Sequence, residues 1–118
     1  MITIMPITHE VLQVLGEELN LTAEGPVWGY IASDGESMLG YIIVEKAEPV
    51  RILALQVNDA AIADGLLRRG LYDFYKDGHT GYTFACEVTL PLPMVYTRRG
   101  NGSLAAIFEQ KCGGCAIN

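Results

Sequence analysis

The stretch LALQVNDAAIADGLLRRGLYDFYKDG, Leu53 to Gly78, limits the possible folds more than any other part of the chain. It opens as an apolar run suited to a strand, and near Ile62 the hydrophobic period changes. Ala63, Leu66, Leu67, Gly70, Leu71 and Phe74 then fall on one broad helical face. Asn58 or Asp59 can cap the start of that helix, and Gly78 after Asp77 suits its end. TGYTFACEV follows and reads as a strand again. A strand, a helix and a strand in this order predict a right-handed crossover, with the new strand parallel to VRILALQV. Gly70 lies on the apolar face, where a missing side chain lets the helix approach a sheet. Gly65 lies away from it, and no packing role is expected there.

The segments before this unit read as antiparallel. MITIMPI alternates weakly and suits an edge strand ended by Pro6. Thr8 can cap a helix over HEVLQVLGEELN, in which Val11, Leu12, Leu15 and Leu19 repeat at helical spacing while Glu17 and Glu18 face water. VWGYIAS and MLGYIIVEK, separated by a turn signal at Asp34–Gly35, form a hairpin, and VRILALQV adds a third meander strand after Pro49. TLPLPMVYTRRGNG is too rich in proline for a long helix. SLAAIFEQ suits a strand or a short helix, and its bounds at Gly102 and Gly113 favour a last strand. The fold class is therefore α+β (α/β): a mixed sheet made of an antiparallel meander followed by a strand–helix–strand parallel crossover.

Length and composition narrow the function classes. At 118 residues the chain makes one domain over 1–118, and a hydrophobic content of 50% is enough for a core. No run approaches the ~18 apolar residues of a membrane span. MITIMPITHE has no basic residue ahead of its apolar positions, so it is not read as a secretory signal. Three cysteines fit a reducing compartment, and a cytoplasmic location is expected. With a net charge of −6 and a pI near 4.7, the chain lacks the basic footprint of a nucleic-acid binder. An anionic ligand would need a local cluster to hold it against that mean field.

The order of elements, together with two local spacings, resembles the GCN5-related N-acetyltransferase (GNAT) family over roughly Met1 to Gly102. In that family a pyrophosphate loop, Gln/Arg-x-x-Gly-x-Gly/Ala, opens the helix after the meander. Its first glycine sits about eight residues past the valine ending the strand, as Gly65 sits eight past Val57. A tyrosine followed four positions later by glycine commonly comes after the next strand, a gap that Tyr96 and Gly100 reproduce. The sequence departs from the loop at Ile62, where Gln or Arg is usual, and at Leu67, where Gly or Ala is usual. Asp59 can also cap the helix with its own carboxylate, which would use N–H donors and place negative charge where a phosphate needs the helix's positive end.

The resemblance implies acetyl-CoA as cofactor, lying between the strands that flank the helix. Backbone groups at Leu55, Gln56 and Val57 would hold the pantetheine arm and Gly65 would stand in the pyrophosphate loop. The acyl acceptor would be a small-molecule or peptide amine. Tyr96, matched to the family's tyrosine, would protonate the departing CoA thiolate, and Glu87 on the parallel strand or Glu45 near the end of the second meander strand would serve as base. The ordinary alternatives are a packed Tyr96 with its hydroxyl in water and two solvent-facing strand carboxylates. Arg68 and Arg69, about 15 Å into the helix, read as solvated arginines, while Arg98 and Arg99 on the irregular crossover are better placed to touch a ligand. His9 and His79 show no paired carboxylate and read as structural.

KCGGC carries the Cys-x-x-Cys spacing of a metal or redox pair at Cys112 and Cys115. A zinc site wants four ligands and only Cys86 remains, so 111–118 is expected to be a flexible tail with exposed thiols, and no metal site is assigned. Two functions stand: an acetyl-CoA-dependent N-acetyltransferase, and a non-catalytic relative that has lost the cofactor loop and serves as a ligand-binding or protein-interaction module. A homodimer that completes the sheet or covers the cleft is compatible with so short a chain.

Overall fold

A computed structural model describes residues 1–97 and 99–109. Local turn chemistry builds the first half of a six-stranded sheet. Strand β1 (Ile2–Pro6) leads through Ile7 into helix α1 (His9–Glu18), whose cap Thr8 accepts the Val11 N–H at 3.3 Å. Strands β2 (Val27–Asp34) and β3 (Ser37–Glu45) are joined by a two-residue loop in which Gly35 has φ 64°, as the first loop position of a type II′ turn requires. Strand β4 (Val50–Val57) completes the antiparallel meander and runs into helix α2 (Ala60–Lys76). Strand β5 (Gly81–Phe84) returns parallel to β4, as the change of period predicts. Strand β6 (Asn101–Ser103) then pairs antiparallel with β5, and a short helix α3 (Leu104–Phe108) follows.

The sheet order is β1-β2-β3-β4-β5-β6, with β4–β5 as its one parallel pair. Among the described residues the fold is thus a mixed α+β sheet with three helices. On one face Ala32, Ile42, Val44, Val50, Ile52 and Tyr82 meet Leu66, Leu67 and Leu71 of α2 in the main core. On the other, Tyr41, Ile43 and Leu53 meet Leu12 of α1 in a smaller cluster. Among the described residues no helix is long and apolar enough to cross a membrane.

Three expectations are corrected. Over its described residues SLAAIFEQ takes the short-helix form and not the strand: pairing stops at Ser103, whose side chain caps α3 by accepting the Ala106 N–H at 3.3 Å. Leu104, Ile107 and Phe108 then share one helical face, with Leu104 and Ile107 buried in the main core. The strand read over TGYTFACEV is shorter, because the chain leaves β4 after Ala85 donates to the Ile52 carbonyl at 2.9 Å. Gly65 does have a packing role, since a Cβ there would stand 3.2 Å from Ile4 Cδ1 of β1. Gly70 behaves as read: its Cβ would meet Ile42 Cδ1 at 3.3 Å.

The register of β3 and β4 shifts between Ile43 and Val44. Ile43 faces Ala54 while Val44 faces Ile52, leaving Leu53 as the extra residue of a β-bulge. The ladder between β4 and β5 ends at the same place, at Ile52 opposite Phe84. A bulge bends its strand and disrupts pairing. From Leu53 to Val57, β4 therefore runs on without β5 beside it, and the sheet parts at the start of α2.

Candidate functional site

The parting places Leu55, Gln56 and Val57 on the half of β4 that has no strand neighbour on the β5 side. Leu55 is not wholly open. Cys86, just past β5, is half-buried against it; burial pushes the thiol up, and a hydrogen bond from the Leu55 backbone offsets this only in part. Gln56 is exposed and Val57 is buried in the main core.

At the head of α2, Asp59 has extended backbone and its carboxylate accepts the N–H groups of Ala61 at 2.8 Å and Ile62 at 3.1 Å. The helical ladder begins at once, with Ala63 N–H on the Asp59 carbonyl at 2.9 Å. Helix geometry leaves only the first few N–H groups without an internal partner. Two of those here are taken by Asp59. Gly65 lies in the second turn, inside the ladder, and Ile62 and Leu67 pack toward the core rather than toward a ligand.

Tyr96 is buried, at 5% exposure, under the crossover between β5 and β6. Its hydroxyl is not in water: it donates to Asp64 Oδ1 at 2.5 Å. Arg68 closes the other side of that carboxylate through Nε, at 3.1 and 3.2 Å, and donates through Nη1 to the Ile107 carbonyl at 3.1 Å. Burial first, and the Asp64 carboxylate second, push the Tyr96 hydroxyl well above its ordinary value. The phenol is thus a reluctant proton donor whose hydrogen is already directed at a carboxylate.

The two carboxylates read as candidate bases separate. Glu87 is exposed, but it lies beyond the end of β5 rather than on the parallel strand. Glu45 is not solvent-facing: it is 2% exposed. It accepts from Glu24 N–H at 2.7 Å, Gly25 N–H at 2.8 Å and Arg51 Nη1 at 2.7 Å. Burial pushes its carboxyl up, but the Gly25 and Glu24 N–H groups and the Arg51 guanidinium together outweigh that and hold it below its ordinary value. It is a structural clamp between the β1–β2 connection and the β3–β4 hairpin.

The remaining candidates are mostly engaged. Arg68 belongs to the Asp64 network instead of standing solvated, and Arg69 covers the Tyr30 ring at 4.7 Å. Arg99 is exposed. His79 does have a carboxylate beside it, with Nδ1 3.2 Å from Glu48 Oε2, though without hydrogen-bond alignment. His9 is exposed at the start of α1. Arg98, Cys112, Cys115 and the tail at 111–118 lie outside the described residues. Among the described residues no group of three or more His, Cys, Asp or Glu is placed to hold a metal ion. In comparisons with known proteins, no family model and no curated protein matches the sequence.

Proposed function

We propose that this chain is a non-catalytic member of the GNAT fold, which keeps the parted sheet as a ligand-binding or protein-interaction module and has lost the acetyl-CoA pyrophosphate site. The observation that carries this reading is the Asp59 cap. A pyrophosphate at the head of α2 needs free N–H groups and the helix's positive end; here the Ala61 and Ile62 N–H groups are bonded to a carboxylate that repels the phosphate as well. The Asp64 partner of Tyr96 and the Cys86 contact at Leu55 support it.

The second reading is an acetyl-CoA-dependent N-acetyltransferase acting on a small-molecule or peptide amine. What favours it is the parting of β4 from β5 at the Leu53 bulge, directly before α2. In that reading Leu55 to Val57 hold the pantetheine, Tyr96 is the acid and Glu87, on the exposed crossover, the base.

Acetyl-CoA titrated against thermal stability separates the two. A ligand at a hundred times its Kd stabilises by about 2.7 kcal/mol, roughly 10 °C for a domain of this size. The expected result is a midpoint unchanged to within about 1 °C at millimolar acetyl-CoA, and a rise of several degrees overturns the proposal. Tyr96→Phe adds an independent readout. It removes one buried hydrogen bond and should lower stability by about 1 kcal/mol while leaving ligand response unchanged; a loss of amine acetylation in that variant would establish the second reading.

A further inference from the structure

A cavity of about 350 Å³ lies between the sheet and the C-terminal end of α2. Its helix lining runs from Gly70 to Asp77, so at 1.5 Å per residue the site lies about 16–27 Å along α2 from Asp59. Its aromatic wall is made by Trp28, Tyr30 and Phe74. Trp28 meets Phe74 edge-on, with ring centroids 5.6 Å apart, yet remains 45% exposed. An indole left open on a cavity wall is a stacking surface with an apolar body and a polar edge.

The charged groups around this wall divide into engaged and free ones. Asp73 accepts the Tyr30 hydroxyl at 3.5 Å and stands 3.7 Å from Arg69. The Lys76 ammonium lies over the Tyr72 ring, 5.3 Å from its centroid. Lys46 and Asp77 line the same cavity, and neither side chain has an ion pair or hydrogen bond among the described residues. Both are nonetheless carried on fixed backbone. Lys46 N–H donates to the Pro26 carbonyl at 2.9 Å, one residue after the Glu45 clamp, and Asp77 N–H donates to the Asp73 carbonyl at 3.0 Å.

One free ammonium, one free carboxylate and an open indole suit a ligand that carries both charges itself. A simple anion would meet Lys46 but face Asp77, and a simple cation the reverse. We propose that this cavity binds a zwitterionic α-amino acid with an apolar side chain, its carboxylate on Lys46, its ammonium on Asp77 and its side chain against Trp28 and Phe74. The volume falls at the small end of ligand pockets, which suits a single amino acid. The site does not rest on the acetyltransferase-fold reading, and its failure would leave the Asp59 argument untouched.

Trp28 is the sole tryptophan, so indole fluorescence reports on this cavity directly. L-Phenylalanine, transparent at the red edge of indole absorption, is the probe. A saturable change with Kd of about 0.1–1 mM is expected for a ligand of this size. N-Acetyl-L-phenylalanine lacks the ammonium and L-phenylalaninamide lacks the carboxylate; each should bind about fivefold or more weakly. Lys46→Met and Asp77→Asn, both at exposed positions, should weaken L-phenylalanine by a similar factor. Lys46→Met should further bind L-phenylalanine and its amide equally. No saturable change at ten times the expected Kd overturns the proposal. So does equal binding of the three ligands, which would mean apolar stacking alone, and so does full affinity for the N-acetyl form, which would point to the end of a peptide chain.

Discussion

Gly40→Ala should destabilise the protein by about 3–4 kcal/mol. A Cβ at Gly40 would stand 2.5 Å from the Gln56 carbonyl oxygen and 2.6 Å from Val57 Cβ. The first of these is backbone, which cannot rotate away as a side chain can. Gly40 pairs with Val57 at the far end of the β3–β4 ladder, where glycine marks a close approach of two chains. Overpacking of this kind typically costs 1–3 kcal/mol, and a backbone collision in a paired strand belongs at or above the upper end. Chemical denaturation reads the loss as a lower midpoint. Because β4 from Leu53 to Val57 forms one side of the parting, the variant should also loosen the segment that leads into α2, seen as faster amide exchange at Leu55 to Val57. A variant as stable as the wild type would mean that the two strands sit farther apart than described.

Glu45→Ala should cost about 3 kcal/mol, or roughly 12 °C in the thermal midpoint. Removing one partner of a buried ion pair costs 3–5 kcal/mol when the other is left buried. Arg51 is partly exposed, at 39% for its side chain, so water recovers some of this for the guanidinium but less for the Gly25 N–H. The pH dependence distinguishes the clamp from simple loss of packing. The folded carboxyl titrates below its ordinary value of 4.5. The clamp's contribution is therefore fully present above that value and is lost as pH falls through the lower, folded one. Thermal midpoints of wild type and Glu45→Gln should differ most near neutral pH and converge in acid below 4.5. A constant gap across that range would show that the carboxylate charge is not what holds the loop.

The difference between these residues and the ones legible in the sequence is one of range. Strands β1 to β5, the hairpin and both long helices followed from periods of two and 3.6 and from caps that act within four residues, as Thr8 and Asp59 do, whereas β6 falls mostly in the stretch read as irregular. Gly65, Glu45 and Tyr96 are explained by partners beyond the reach of local patterns, from Arg51 six positions from Glu45 to Ile4 across from Gly65. Gly65 abuts Ile4, Glu45 collects Glu24, Gly25 and Arg51, and Tyr96 finds Asp64 across 32 positions. A charged residue in a strand reads as solvent-facing until its donors are known to arrive from a different loop. SLAAIFEQ misled for the opposite reason: Ser103 is a local cap signal, and the glycine boundaries hid it. The aromatic cavity was invisible because Trp28 on β2, Lys46 just past β3 and Asp77 just past α2 come from three separate parts of the chain, none of which carries a recognisable motif alone.

Because each strand lies beside the one that precedes it, the sheet can be assembled in the order in which a ribosome releases it. Each new strand finds its template already extruded, and the β2–β3 and β3–β4 pairings require only the closing of short loops. The amino-terminal two-thirds can thus zip up while the rest is still being synthesised. The parallel β4–β5 pairing and the antiparallel β5–β6 pairing, each three residues long, are left to close last.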